Sequence, residues 1–356
     1  MTKKVKVFLG GFINYTNAQN LNCLALAKHL DKEKFTVYTL ELFSGNLESQ
    51  QNKIKGVHIF NCFKPYRISG YLGFLWGIWH CDVAYLPKGE HWKFNRFILK
   101  FLGKKSFSTI EGIFDDTACL SIVKIFGSNQ NFIDSKKYFT RLYSITCFMN
   151  QFNFEKLQIK TEERALYLGV DNINQYKPKT NFNFGKIIMI GNDLVRKGVF
   201  DYLDIAESFK NIEFLLAGSG NGKIDINAEI KKRNLTNVNY LGMVTSTQRN
   251  ELLKDCSLHI LPSRSEGFPK VTLETAAAGV PSIVYGDYGA EEWITHGENG
   301  WVVNTAEDIK TLISELKNKP EELERISKNT VNLATSFDWK VKIKDWEEEI
   351  IKIYKD

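Results

Sequence analysis

The sequence predicts an α/β protein built as two successive Rossmann-like units. Three observations carry this. Short apolar runs alternate with helical stretches along most of the chain, the pattern of strands covered by helices. That alternation runs twice, with a polar segment between the two series. At 356 residues the chain is also too long for one ordinary core, so two domains are expected.

The first series opens with "VKVFLGGF", read as a strand followed by a glycine turn at Gly10-Gly11. "NAQNLNCLALAKHL" follows as a helix, with Leu21, Leu24, Ala25 and Ala27 through Leu30 on its apolar side. "FTVYTLEL", "DVAYL" and "KSFSTIEG" read as further strands, and "ALYLGVD" as strand-like after the polar stretch "NQFNFEKLQIKTEER". "NINQYKPKTNFNFG", with Pro178, reads as the linker. The second series is "KIIMIG", "IEFLLAGSG", "VNYLG", "CSLHILPS" and "PSIVYG", with a helix between each pair of strands. The tail places Val341, Ile343, Trp346, Ile350, Ile351 and Ile353 at roughly helical spacing and reads as a final helix. No repeat of fixed period and no low-complexity segment is present.

The composition, 43% hydrophobic and 25% charged, is that of a soluble globular protein. No run approaches the ~18 apolar residues of a membrane span. The opening "MTKKVKVFLGGFIN" lacks the length and cleavage site of a signal peptide and reads as a first buried strand. Six scattered cysteines show no close pair of metal or redox spacing, so reduced packing residues in a cytoplasmic protein are expected. The net charge of +6 is uneven. Residues 1–170 hold 23 Lys/Arg against 13 Asp/Glu, and the remainder 24 against 28. A basic first half can face an anionic membrane, nucleic acid or a phosphate-bearing substrate.

The most informative stretch is "SRSEGFPKVTLETAAAGVP", residues 263–281. Pro269 suits the first turn of a helix and Gly279 the position just past its end, which predicts a helix over about 269–278. The amides of Gly267, Phe268, Lys270 and Val271 are then left unpaired by the helix and form an anion-friendly pocket. Helical side chains lean toward the N-terminus, so Glu274 leans to the same pocket, on the face of Lys270. Glu266 stands on the loop after "CSLHILPS", where open α/β sheets bind ligands. A ligand with an anionic part and several hydroxyls fits this set: a nucleotide sugar. The ordinary alternative is two glutamates near a helix start that assist its capping.

This stretch resembles the E-x7-E motif of retaining GT-B glycosyltransferases of family 4. "KIIMIGNDLVRKGVFDYLDIAES", "FLLAGSGNG", "NVNYLGMV" and "PSIVYGDYGAEEWITHGENGWVV" resemble further segments of that family, in its order and spacing. "YLGVDNINQYKP" resembles its domain linker and "FDWKVKIKDWEEEIIKIY" its closing helix. The likeness covers roughly residues 165–355; the first 160 match only in layout, Gly10 and Gly11 included.

The resemblance implies a GT-B fold of two domains facing across a cleft. Residues 1–166 with a returning C-terminal helix about 338–356 would bind acceptor, and 167–337 the nucleotide-sugar donor. It implies that Lys197 and Arg196 bind phosphate, where fixed cations stabilise the charge that develops on the leaving diphosphate. Gly191 would let the backbone approach the phosphates. Glu266, with Gly267, Phe268, Pro269 and Lys270, would hold the donor sugar and phosphate. Glu274 would hold the ribose hydroxyls, with Gly218, Gly242, Met243 and Val244 near the base, and Gly10 and Gly11 would face the acceptor.

Two departures stand out. Family members often carry arginine just after the first glycine; here it is Asn192, and Arg196 is the available replacement charge. Where the family often has a histidine near the donor, this chain has Glu111, either a donor contact or an ordinary loop residue. No D-x-D pair occurs, since Asp115-Asp116 lacks the spacing. The resemblance therefore implies metal-independent chemistry without a cofactor, and His80, His91 and His296 read as surface or packing residues.

"EHWKFNRFILKFLGKK" predicts a basic amphipathic helix, with Phe94, Phe97, Ile98, Phe101 and Leu102 on one stripe and Lys93, Arg96, Lys100 and Lys104 on another. It is either a layer helix with a solvated face or a surface that docks on anionic lipid. The expected activity is transfer of a hexosyl or N-acetylhexosaminyl group, most simply from a UDP-sugar, to a glycan or lipid-linked acceptor of a cell-surface polysaccharide. The expected place is the cytoplasm, or the inner face of the cytoplasmic membrane. The alternatives are a GT-B nucleotide-sugar epimerase, against which the E-x7-E and closing-helix patterns speak, and a nucleic-acid-binding protein, for which no aromatic stacking motif is found.

Overall fold

The computed structural model describes residues 3–44, 47–50, 54–89, 91–171, 173 and 184–356. Most of the expected linker, Pro178 included, lies outside the described residues. The chain divides into two compact units, one of Met1–Gly169 with Trp339–Asp356 and the other of Val170–Asp338.

Unit 1 is a six-stranded parallel sheet of β1 (Val5–Phe12), β2 (Phe35–Leu42), β3 (Val57–Cys62), β4 (Val83–Tyr85), β5 (Lys105–Ile110) and β6 (Arg141–Ser144). Its order is β3-β2-β1-β4-β5-β6. The chain runs outward from β1 to one edge, then restarts at β4 toward the other. The reversal between β1 and β4 opens a crevice at the C-terminal ends of those strands. Both edge strands escape the sequence reading. β3 is only partly buried and β6 is four residues long, so neither shows a continuous apolar run. "ALYLGVD" forms no strand; it contributes one isolated bridge, Val170 to Asp338.

The expected glycine turn also differs. β1 continues through Gly10 and Gly11 to Phe12, and its register against β2 shifts between Leu9 and Phe12. The two glycines are set by packing: a Cβ on Gly10 would lie 2.5 Å from Leu86 Cδ2, and one on Gly11 2.7 Å from Cys23 Sγ.

The helices of unit 1 are α1 (Ala18–His29), α2 (Tyr66–His80), α3 (Trp92–Phe101), α4 (Asp116–Phe126), α5 (Asn129–Asp134) and α6 (Cys147–Leu157). α6 occupies much of the stretch read only as polar. Thr146 caps it by accepting from the Met149 amide, and it buries only Met149 and Asn153. The last helix, α13 (Trp339–Lys355), returns to unit 1 as expected and packs on α1, β4 and β5. Trp346 meets Tyr85 and Phe107 edge-on or tilted, and Tyr143 donates to Glu349 at 2.6 Å.

Unit 2 repeats the plan with β7 (Lys186–Asn192), β8 (Glu213–Ser219), β9 (Val238–Gly242), β10 (Leu258–Leu261), β11 (Ser282–Tyr285) and β12 (Trp301–Val303), in the order β12-β11-β10-β7-β8-β9. Every strand read from the sequence in this half is present. Ile187 and Met189 of β7 enter one core and Ile188 and Ile190 the opposite one. A parallel sheet buried on both faces needs such unbroken apolar runs. The helices are α7 (Val199–Ser208), α8 (Ile226–Lys232), α9 (Ser246–Asp255), α10 (Lys270–Ala277), α11 (Ala306–Leu316) and α12 (Pro320–Ser336). The reversal of strand order here falls between β7 and β10.

Candidate functional site

The site in unit 2 assembles at that reversal, from the β7–α7 loop and the β10–α10 loop. The two loops are held together by backbone contact. Gly198, at φ +85°, sits so close to the Pro262 carbonyl that a Cβ would lie 2.0 Å from its oxygen. Only glycine combines that conformation with that approach. One loop then delivers Arg196 and Lys197, and the other delivers Glu266.

Lys197 Nζ donates to Glu266 Oε1 at 2.8 Å, and Arg196 Nη1 lies 3.2 Å from the same oxygen. Lys197 is 8% exposed and Glu266 7%. Arg196 is more open and also donates to the Ser265 carbonyl. The pair Arg196-Lys197 is therefore not a solvated opening of α7, which begins only at Val199. The stem of Lys197 crosses the face of Gly191: a Cβ there would lie 2.2 Å from Lys197 Cδ. Gly191 thus admits the lysine itself. Gly218, at φ +139°, closes against the Gly191 carbonyl in the same way.

Beneath Lys197 lies the buried His259, whose Nδ1 is 2.9 Å from Ser282 Oγ. Burial pushes its imidazole down to about 3, and the Lys197 charge acts in the same direction. Burial thus keeps His259 neutral, and the charge that acts on it is that of Lys197. Burial, then the Glu266 carboxylate, push the fully buried Tyr288 phenol well above its ordinary value. The Tyr288 hydroxyl has no hydrogen-bond partner among the described residues.

α10 begins one residue later than expected, with Pro269 as its N-cap, and no side chain caps it. Gly279, at φ +71°, ends it as expected. Phe268 turns inward against Trp293 and Phe337, at ring distances of 5.0 and 5.5 Å, so this residue offers backbone rather than side chain. Glu274, on the second turn, accepts from Arg249 Nη1 of α9 through Oε2 at 2.6 Å. Arg249 was not singled out in the sequence; a lone arginine in "TSTQRNELL" carries no motif. Gly242 ends β9 at φ +64°, Met243 is exposed, and Val244 packs on the core.

Unit 1 holds the remaining candidate. Glu111 follows β5 and accepts from Asn22 Nδ2 at 2.8 Å and Thr109 Oγ1 at 3.1 Å, with the Tyr85 hydroxyl at 3.4 Å. It is a positioned carboxylate rather than an open loop residue. Gly10 and Gly11 lie in the β1 bulge at the reversal between β1 and β4.

Residues 172–332 match the family of glycosyl transferases group 1. That span is nearly all of unit 2 and contains every candidate from Gly191 to Glu274. Two relatives illustrate the likeness. An uncharacterised glycosyltransferase of Methanocaldococcus jannaschii is 30% identical over 185 residues, covering 51% of each chain. The N,N'-diacetylbacillosaminyl-diphospho-undecaprenol alpha-1,3-N-acetylgalactosaminyltransferase of Campylobacter jejuni is 27% identical over 258 residues, 71% of this chain and 64% of the relative. The chain thus spans about half to two thirds of the length of these relatives. Anabaena HepE, solved with UDP and glucose, superposes with a TM-score of 0.77 at 15% identity, over 98% of this chain and 100% of that one. This likeness shows the fold, two Rossmann-like α/β units of the GT-B class. The family match and the named relatives support a glycosyltransferase.

Proposed function

We propose that the protein is a retaining GT-B glycosyltransferase that moves a hexosyl or N-acetylhexosaminyl group from a UDP-sugar to a glycan or lipid-linked acceptor. The observation that carries this is the buried Lys197–Glu266 pair at the strand reversal of unit 2, 2.8 Å apart, inside the segment that matches the family.

In this reading Lys197 and Arg196 face the donor's diphosphate and stabilise the charge that appears as the sugar–phosphate bond breaks. The backbone amides from Gly267 to Lys270, at the start of α10, add fixed dipoles of the same sign. Glu266 holds the sugar hydroxyls and keeps Lys197 in place when no donor is bound. Glu274, oriented by Arg249, accepts from the ribose. Gly218 and the Gly242–Val244 strand end lie beside the base. Cations and amides do the electrostatic work, so no metal or cofactor is required. The C. jejuni relative's name places its acceptor on diphospho-undecaprenol, which favours a lipid-linked acceptor here.

A peripheral membrane position belongs to the same reading, and α3 supports it in a form the sequence did not give. Phe97 and Phe101 are 64% and 75% exposed and lie stacked, with ring centroids 6.2 Å apart. They stand among the exposed Lys93, Arg96 and Lys100 rather than on the buried stripe, which consists of Asn95, Ile98 and Leu99. Lys104 leaves the basic stripe: its Nζ donates to the Cys81 carbonyl at 2.7 Å. Among the described residues no helix is long and apolar enough to cross a membrane.

The direct test is thermal stabilisation of the full chain against a panel of nucleotides and nucleotide sugars. UDP and one UDP-sugar should stabilise it. A flat response across the panel would remove the donor reading.

A further inference from the structure

α2 of unit 1 is inverted for a layer helix that faces water. It packs on β1, β2, β3 and β4 and on α3. Toward the sheet it presents Gly73 and Gly77 with the buried Phe74 and Ile78. The approach is close: a Cβ on Gly77 would overlap the Phe8 ring, and one on Gly73 would lie 3.0 Å from Leu40 Cδ2. Toward solvent it presents large apolar side chains. Ile68, Leu72 and Trp79 are 60, 47 and 61% exposed. With the half-buried Leu75 they recur at i, i+4, i+7 and i+11, which makes one stripe along the helix. A layer helix normally turns a polar face outward. α2 has only Arg67 as a charged residue and is apolar on both sides. Small residues against the neighbouring element, with large apolar ones outward, is the arrangement of helices whose outer medium is itself apolar.

The stripe continues onto α3. Tyr71 of α2 and Phe94 of α3 meet edge-on, with ring centroids 4.9 Å apart, and close the seam between the helices. At about 100° per residue, the exposed Phe97 and Phe101 lie on α3 between Phe94 and the cations Lys93 and Lys100. An apolar surface thus runs from Trp79 and Ile68 across the seam to the stacked phenyl rings, with bases along its far border. A contiguous exposed patch of this kind marks an interaction site.

The charges select the partner. Neither helix contains an aspartate or glutamate. In a two-fold pairing of this face with a second copy, the same bases would face one another, and like charges across an interface are unfavourable. A bilayer with anionic headgroups offers the opposite charge and the apolar depth together, and tryptophan favours the headgroup level.

We propose that α2 and α3 form one membrane-contact face, with Ile68, Leu72 and Trp79 of α2 entering the interface of an anionic bilayer. The inference rests on the peripheral-membrane part of the proposed function. It adds a second helix, which supplies most of the apolar contact, and it names the side of unit 1 that meets lipid. Insertion needs the whole patch, so either helix alone gives weak attachment.

The test floats the full chain with vesicles of phosphatidylcholine and phosphatidylglycerol, with phosphatidylcholine vesicles as control. Brominated phosphatidylcholine in the anionic vesicles reports tryptophan depth by quenching. Leu72→Gln with Trp79→Gln should lower the vesicle partition coefficient by about tenfold or more, because two apolar side chains no longer leave water. Trp79→Phe should bind as the wild type does and lose part of the quenching, since apolar bulk remains and the inserted indole is gone. Unchanged thermal unfolding certifies the fold; if the double variant fails that control, the quenching of Trp79→Phe decides. Vesicle binding indifferent to the double variant, or quenching indifferent to Trp79→Phe, overturns the proposal; binding that still depends on Arg96 and Lys100 then leaves α3 as the docking helix by itself. A wild type that ignores anionic vesicles removes the membrane reading as a whole. Concentration-dependent association without lipid, abolished by the double variant, shows that a second copy covers the face and likewise overturns the proposal.

Discussion

Lys197 and Glu266 form a buried ion pair across two loops that are 69 residues apart in sequence, Nζ to Oε1 at 2.8 Å. Burying both charges is costly unless the pair has further support. Here Arg196 shares the carboxylate and the neutral His259 adds no competing charge. An arrangement with two cations on one carboxylate keeps a net positive charge for an incoming diphosphate. Lys197→Met should therefore cut turnover by ~10²-fold or more, the scale for removing a transition-state charge partner. Donor hydrolysis and transfer rates on folded protein measure it. Near-wild-type turnover would take Lys197 out of the mechanism.

The two glutamates should separate by role. The proposed reading gives Glu274 the ribose hydroxyls, so Glu274→Gln should lower UDP affinity. Glu266→Gln should mainly reduce transfer, with a smaller change in UDP affinity. It also leaves Lys197 buried without its counter-charge, a loss on the order of 3 kcal/mol of stability. Arg249→Gln should reproduce the Glu274→Gln phenotype, because it orients that carboxylate through the 2.6 Å contact. Equal loss of UDP binding in both glutamate variants contradicts the division. UDP titration and denaturant unfolding read the two effects.

His259 gives a pH test. Its folded-state value is about 3, against an ordinary 6.5. The unfolded chain thus binds this proton first as the pH falls. Stability contributed by the neutral form is complete above pH 6.5 and declines below it, by up to about 1.4 kcal/mol per pH unit. His259→Gln should flatten the loss between pH 6.5 and 5. Parallel stability–pH curves for the two proteins would show that His259 titrates normally.

The second unit was readable because its physics is local. Apolar runs such as "KIIMIG" mark strands buried on both faces, and Pro269 and Gly279 bracket α10 by backbone chemistry alone. The loop residues Arg196, Lys197 and Glu266 were legible as chemistry, while their mutual contact was not, since 69 residues separate them. β3 was lost because a half-exposed strand mixes polar and apolar residues, and β6 because four residues make too short a run to stand out. The bulge at Gly10-Gly11 was read as a turn because neither Leu86 nor Cys23 is visible as a neighbour in the sequence. α3 misled for another reason. Helical spacing grouped Phe97 and Phe101 with Ile98, but three buried residues already fill the contact with the sheet, and the two rings face outward.

Activity should survive EDTA. In the proposed reading the cations Arg196 and Lys197 and the amides at the start of α10 stabilise the diphosphate in place of an ion, and the sequence has no D-x-D pair to hold one. Transfer assays with and without chelator decide. Full loss with EDTA, restored by Mg²⁺ or Mn²⁺, would contradict a metal-free mechanism.

Membrane docking by α3 should be electrostatic in onset and apolar in grip. Lys93, Arg96 and Lys100 each contribute about 1 kcal/mol near an anionic surface, screened within a Debye length. Phe97 and Phe101, exposed between them, can enter the interface beside the headgroups. The full chain should sediment with anionic vesicles at low salt, be largely released at high salt, and ignore neutral vesicles. Arg96→Gln with Lys100→Gln should strongly weaken the low-salt attraction and leave α3 only the share of Lys93. Phe97→Ser with Phe101→Ser should leave a weak salt-sensitive attraction and remove whatever binding persists at high salt. Both double variants should hydrolyse the donor at the wild-type rate, since neither touches the Lys197–Glu266 site. If the wild type never sediments with anionic vesicles, α3 is a layer helix with two exposed rings, and the acceptor need not lie in a membrane.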